Sequence, residues 1–209
     1  MGPRRKSSPA KSEQRGRKAL LEAARREFST HGFEATRLTA VADGAGVNSA
    51  MVHYYFGGKQ GLYDATLELA LGGILKSLLV SRKRTPSITG FVRALMRKLA
   101  EDPWLAPLIL RELSGGAEHP PSHHMRGFIQ ELLGLLLDTV AAAHREGNID
   151  PETDPRMAVA SIVGMALVPF VLLPSTTPVL GLDINGRDLQ AVIAHTEAQI
   201  MRSLQGGHT

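Results

Sequence analysis

The chain of 209 residues contains no cysteine. That absence excludes a disulfide scaffold, thiol catalysis and any cysteine-bound zinc or iron–sulfur cluster, and it fits a reducing cytoplasm. The stability of the fold must then come from packing. Common catalytic signatures are also missing. Gly57-Gly58-Lys59 lacks the upstream glycine, and the Ser/Thr after lysine, that a Walker phosphate loop requires, and neither G-x-S-x-G nor H-E-x-x-H occurs. No segment alternates apolar and polar residues as a strand would. The N-terminus is polar and basic with no apolar core behind it, so no secretory signal is expected.

Two other stretches stop short of a metal site. Glu118, His119, His123 and His124 in EHPPSHHM could supply ligands, but adjacent histidines in a proline-rich loop read as polar loop residues. The acids of Asp150-Pro151-Glu152-Thr153-Asp154-Pro155 lack the central glycine and terminal glutamate of an EF-hand loop and read as turn and cap residues. No metal and no cofactor are therefore expected, and no enzyme.

What is present is a charge asymmetry. Residues 1–59 hold eleven Lys/Arg against five acids, whereas residues 60–209 hold thirteen against fifteen. A basic N-terminal segment suits a polyanionic partner. Residues 1–11 have nothing apolar to bury and are expected to be a disordered basic tail, either solubilising or adding phosphate or minor-groove contacts. The uncharged run Met157–Leu173 approaches membrane-spanning length. It contains Gly164 and Pro169 and lacks flanking basic clusters, so a helix buried on all sides is expected instead of a membrane span.

Apolar periodicity predicts helices over 12–31, 38–43, 48–55, 59–80, 88–101, 104–113, 123–146, 155–173 and 188–204, with loops at 114–122 and 174–186. The expected fold is all-α, about nine helices. A three-helix domain over 12–58 would precede a larger helical domain over 59–209. Within the first, Thr39–Lys59 reads as two short helices about the turn Gly44-Ala45-Gly46, with Asn48 or Ser49 as N-cap of the second. That is the layout of a helix-turn-helix. Its second helix would pack through Val47, Val52 and Phe56, leaving Ser49, Ala50, Met51, His53 and Tyr54 for the major groove. Ser49 and His53 can hydrogen-bond bases or phosphates, Ala50 and Met51 can meet a thymine methyl, and Tyr54 and Tyr55 suit phosphate contact. Lys59 opens the next helix, where its ammonium and the helix N-terminus would hold a phosphate.

Residues 17–62 resemble the DNA-binding domain of tetracycline-repressor-like (TetR) regulators. The resemblance rests on Ala24-x-x-x-Phe28, on HGFEAT at 31–36, on Ala42-x-x-Ala45-Gly46-Val47, and on Tyr54-Tyr55-Phe56-Gly57-Gly58-Lys59-Gln60-Gly61-Leu62. Arg111-Glu112-Leu113-Ser114 and Asp150 to Arg156 are similar to motifs of a CecR-like subgroup. The family most often carries Tyr where this chain has His53, and a Lys or polar residue with Thr nearby where it has Ser49, Ala50 and Met51. The resemblance thus implies the mode of binding and leaves the operator sequence open. It further implies that Arg37 and Thr39 reach the backbone or a base, and with Asn48, Tyr55 and Lys59 they complete the expected DNA-contacting set.

One such domain reads only a few base pairs, so a homodimer on palindromic DNA is expected. The last two helices are the candidates, through Ala158, Ile162, Met165, Ala166 and Pro169 on one and Val192, Thr196 and Ile200 on the other, and the resemblance implies a four-helix interface. The resemblance implies a small-molecule effector enclosed by the middle helices, lined by Phe91, Leu95, Trp104, Leu108, Phe128 and Leu132, with Arg111 or Glu112 as a polar handle. The mostly apolar lining suggests an apolar effector. Together these readings describe a cytoplasmic, ligand-responsive regulator, most simply a repressor. The rivals are a helical protein-binding module without specific DNA recognition and a metal-dependent enzyme.

Overall fold

The computed structural model describes residues 9–114 and 123–206, and the side chains of residues 9–12 and 112–114 lie outside that description. All regular structure among the described residues is helical: α1 (Pro9–Ala35), α2 (Leu38–Ala45), α3 (Ala50–Phe56), α4 (Lys59–Arg84), α5 (Ile88–Glu101), α6 (Leu105–Ser114), α7 (His123–Arg145), α8 (Pro155–Leu180) and α9 (Leu189–Leu204). The all-α class expected from periodicity is the one observed.

Helix ends differ from the sequence reading in instructive places. α1 begins at Pro9, earlier than expected, and residues 1–8 of the basic tail lie outside the described residues. Its regular path stops at Gly32 (φ 71°, ψ 178°), after which one more turn leads to α2. α8 does not end before Pro174 but continues through Pro174 and Pro178 to Leu180. Each proline removes one helix donor, and the Thr176 and Thr177 hydroxyls donate to the Leu172 and Leu173 carbonyls at 2.9 and 2.7 Å in the same turns.

Packing divides the chain into two units, Met1–Leu69 and Ala70–Thr209. The break falls inside α4, not at its start, because Leu62 belongs to the buried cluster of the first unit with Leu20, Ala24, Phe28, Val41 and Val52. Phe33 and Tyr63 close one side of that cluster, with Tyr63 meeting the Phe28 and Phe33 rings edge-on at 5.1 and 4.8 Å.

In the second unit α8 is the central element, packed on α5, α6, α7 and α9. Its start is set by Asp154, whose carboxylate accepts the Arg156 backbone N–H at 2.8 Å ahead of Pro155 in the first turn. α5 starts likewise, with the Ser87 hydroxyl accepting from Gly90 N–H at 3.0 Å. Between α5 and α9, Arg93 grips Glu197 through Nε and Nη2 at 2.8 and 2.6 Å, with the Glu197 side chain only 11% exposed. Two parallel bonds hold the carboxylate in one geometry, which fixes α9 against α5.

Two expectations follow. Arg93→Met leaves the Glu197 carboxylate buried without its guanidinium and should lower stability by about 1–2 kcal/mol, toward the low end because Arg93 is half exposed. Changing both residues to Met should recover most of that loss in denaturant titrations. The Asp154 carboxyl is held down at about 2, from an ordinary 3.8, mainly by the Arg156 side chain and also by backbone N–H groups. Its folded form favours the carboxylate, so its contribution is present above 3.8 and disappears as pH falls through about 2. Asp154→Asn should remove that stretch of the acid-unfolding curve, and a carboxyl NMR titration would locate it directly.

Candidate nucleic-acid interface

The interface is built on α3, which has only seven residues. A helix that short does not persist alone, so its geometry comes from its surroundings. Val52 is fully buried in the cluster formed with α1 and α2, and Val47, Met51, Tyr55 and Phe56 pack on that cluster from outside. The two flanking turns are glycine-dependent. Gly46 (φ 67°) caps α2 in the left-handed region and donates to the Ala42 and Asp43 carbonyls, and Gly57 (φ 72°) does the same for α3 through the His53 carbonyl. Gly44 and Ala45 are helical, so the turn lies later than the sequence suggested, over residues 46–49. Of the two N-cap candidates it is Asn48 that acts, its Oδ1 accepting Ala50 N–H at 2.8 Å, while the Ser49 side chain makes no cap bond.

These constraints leave Ser49, Ala50, His53 and Tyr54 exposed on one side of α3, Tyr54 at 70%. Arg37, Thr39 and Asn48 are exposed beside them. Met51 departs from the expectation of a groove-facing residue. It is half-buried against the core, because an unbranched apolar side chain at the edge of so small a cluster gains more from packing than from water. Tyr55 is half-buried too. Burial pushes its phenol above the ordinary 10.0, with Glu13 and Tyr54 adding to the shift, so its hydroxyl stays protonated and can donate.

Lys59 begins α4, where the helix end attracts anions. In this state its ammonium donates to the Glu34 carbonyl at 2.9 Å and lies 4.8 Å from the centre of the Phe33 ring. The lysine thus ties the start of α4 to the α1–α2 corner. This carbonyl is a backbone acceptor that no residue motif announces. Sequence reasoning also missed the start of α1. Gly16 sits where a Cβ would lie 3.4 Å from the Tyr55 hydroxyl, Glu13 is 3.5 Å from the Tyr54 hydroxyl, and the Arg17 guanidinium lies 5.2 Å from the Phe56 ring centre. A glycine inside an otherwise helical basic stretch was the available signal.

In the second unit the expected effector residues are mostly core. Phe91, Leu95, Leu108, Phe128 and Leu132 are buried, Trp104 is half-buried, Arg111 is exposed, and the Glu112 side chain is outside the described residues. Leu132 of this set lines a groove of about 310 Å³ formed by α6, α7 and α8 and walled by Ile109, Ile129, Leu133, Val159 and Val163. Arg156 stands at this groove with its guanidinium on Asp154 at 2.8 Å.

The residues expected at a subunit interface are placed as follows within the single chain. Ala158, Ile162, Ala166, Thr196 and Ile200 are buried within the single chain, and Met165, Pro169 and Val192 are half-buried. The buried ones on α8 contribute to its packing on α5, α6, α7 and α9. Large apolar residues left outward on α8 are Met157, Val168 and Leu172, at 67, 39 and 55% exposure, and Val179 and Leu180 in its last turn, at 86 and 58%. Of the histidines considered as metal ligands, His123 and His124 open α7 with rings 5.8 Å apart, whereas Glu118 and His119 lie outside the described residues.

Residues 20–66 match the family described as bacterial regulatory proteins, tetR family. The HTH-type transcriptional regulator RutR of Escherichia coli O157:H7 is 33% identical over 149 residues, 70% of this chain and 69% of that protein. The HTH-type transcriptional regulator BetI of Rhizobium meliloti is 36% identical over 81 residues, 39% of this chain, and the match spans only 40% of its length. Among solved structures, the transcriptional regulator FadR from Bacillus subtilis in complex with stearoyl-CoA superposes with a TM-score of 0.66 at 16% identity, covering 92% of this chain and 99% of FadR.

Substitutions separate the two kinds of contact. Lys59→Ala should weaken binding to every DNA and reduce the slope of log affinity against log salt by about one. It should also lower Tm through the lost bond to Glu34, and an unchanged salt slope would remove Lys59 from the interface. His53→Ala should instead alter preference among sites, each good base contact being worth roughly 1–3 kcal/mol, as competition binding with single-base variants would measure.

Proposed function

The chain belongs to the tetR family of bacterial regulatory proteins, and from that premise we propose that it is a transcriptional regulator that binds palindromic operator DNA as a homodimer and is released by a small apolar effector. The observation that carries the reading is the exposed Ser49-Ala50-His53-Tyr54 face, held by the buried Val52 in a segment with a net positive charge. Seating such a dimer on an operator blocks that stretch of DNA to other proteins, which makes repression the simplest mode. The site of action is then the cytoplasm, where the chromosomal DNA is.

Support for the dimer comes from α8. By length and composition it is apolar enough to cross a membrane, with 33% of its most apolar window buried. Exposed Met157, Ser161, Val168 and Leu172, with half-buried Gly164 between them, recur at three- and four-residue spacing, which draws a stripe along the helix. A second copy covers such a stripe while the opposite face stays packed on α5, α6, α7 and α9.

The α6–α7–α8 groove is the effector site in this reading. Its volume suits a small molecule and its walls are almost wholly apolar. FadR is described with an acyl-CoA, which is anionic. Here the guanidinium at the groove is already engaged by Asp154 at 2.8 and 3.2 Å, which favours an uncharged apolar effector over an anionic one. Such a molecule releases DNA only to the extent that it binds the non-reading state more tightly.

Selection of bound sequences from random DNA should return a two-fold symmetric site, and failure to bind any DNA at low salt would overturn the reading. Light scattering should give a dimer at micromolar concentration, and Leu172→Glu should shift it to monomer and weaken operator binding. Leu133→Trp should fill the groove, leaving operator affinity within about twofold but abolishing release by any apolar compound that frees the wild-type protein.

A further inference from the structure

The first turns of α1 lie outside the part of the chain that the family match covers, yet they pack along the recognition helix. Three contacts set the register. Glu13 meets Tyr54, Gly16 meets Tyr55 and Arg17 meets Phe56, so one face of α1 follows three consecutive residues of α3. Tyr54 and Tyr55 meet edge-on at 5.1 Å, and Tyr55 and Phe56 at 6.2 Å. Arg17 stands at the end of this aromatic row with an exposed side chain.

From this placement we propose that Arg17 is a phosphate-binding residue of the DNA interface, held over Phe56 and reaching the backbone beyond the bases read by α3. The proposal rests on the DNA-reading function above. Its chemistry is specific to arginine. A guanidinium stacked on a ring satisfies its flat face and leaves its in-plane N–H groups directed outward, where two of them match two phosphate oxygens. No ion pair to a carboxylate holds Arg17 among the described residues, unlike Lys18, which lies 3.7 Å from Glu22. The local field favours the same ligand, since the first 18 residues carry seven Lys/Arg and one acid. That acid, Glu13, lies on Tyr54. Gly16 lies against the same row, since a Cβ there would meet the Tyr55 hydroxyl at 3.4 Å, an ordinary contact distance.

The test uses the full-length chain and the DNA it selects. Arg17→Met keeps an apolar stem on Phe56 and removes the charge, and Arg17→Lys keeps the charge without the planar fork. Wild-type affinity should fall with salt, and Arg17→Met should reduce that slope by about one and weaken binding equally for preferred and non-preferred sequences. Arg17→Lys should retain the slope with a smaller loss of affinity. Ethylation of one backbone phosphate outside the bases protected by α3 should block wild-type binding, and Arg17→Met should be insensitive to it. An unchanged slope and unchanged ethylation pattern in Arg17→Met, with Tm as in wild type, would overturn the proposal while leaving the regulator reading intact. A wild-type protein that binds no DNA would sink both.

Discussion

The burial of Val52 is the constraint on which the DNA-facing unit depends. α3 has seven residues, fewer than a helix needs to hold itself together in water, and it has no side-chain N-cap on Ser49. Its helical state and its orientation both come from placing one β-branched side chain at zero exposure among Leu20, Ala24, Phe28 and Val41. Once Val52 is inserted, the left-handed glycines at 46 and 57 need only let the chain enter and leave. The exposed Ser49 and His53 then share a side by helical geometry, with no interaction of their own required. The residues proposed to read DNA are thus exposed ones that the packing of α3 does not use, and the residue that holds α3 in place is buried.

The second unit solves a different problem with one long helix. α8 is apolar nearly all round, which forces it to the centre of α5, α6, α7 and α9. These partners cover only part of it: 33% of its most apolar window is buried, and Met157, Val168 and Leu172 are among the apolar residues left outward. The apolar groove beside it arises where α6, α7 and α8 diverge. The Arg93–Glu197 pair acts against this apolar background. Apolar contacts tolerate sliding of one helix on another, whereas two charged hydrogen bonds at 2.6–2.8 Å accept a single register.

How much was legible in the sequence differs between helix interiors, helix ends and side-chain destinations. The nine helices among the described residues follow from apolar spacing, because a face buried every third or fourth residue leaves a local trace. The ends were harder. Gly44 reads as part of the turn, yet it lies in α2, where a Cβ would meet the Ala23 methyl at 3.5 Å, and of the two glycines it is Gly46 that takes positive φ. Pro174 looked like a stop, yet α8 passes through it. Local propensity proposes such boundaries, and neighbouring contacts overrule it. The same holds for Met51, whose place on the helix suggests the groove and whose half-burial follows from a core edge assembled from distant residues.

By itself the sequence determined the all-α class, the position of the helix-turn-helix and the basic character of the segment carrying it, since each is a property of neighbouring residues or of their sum. Only the tertiary structure decided which apolar residues of α8 and α9 are consumed within the chain, that Lys59 engages the Glu34 carbonyl, and that Arg17 lies over Phe56. These facts depend on residues separated by tens of positions along the chain. Their proximity is set by how helices pack, and no spacing within one helix encodes it.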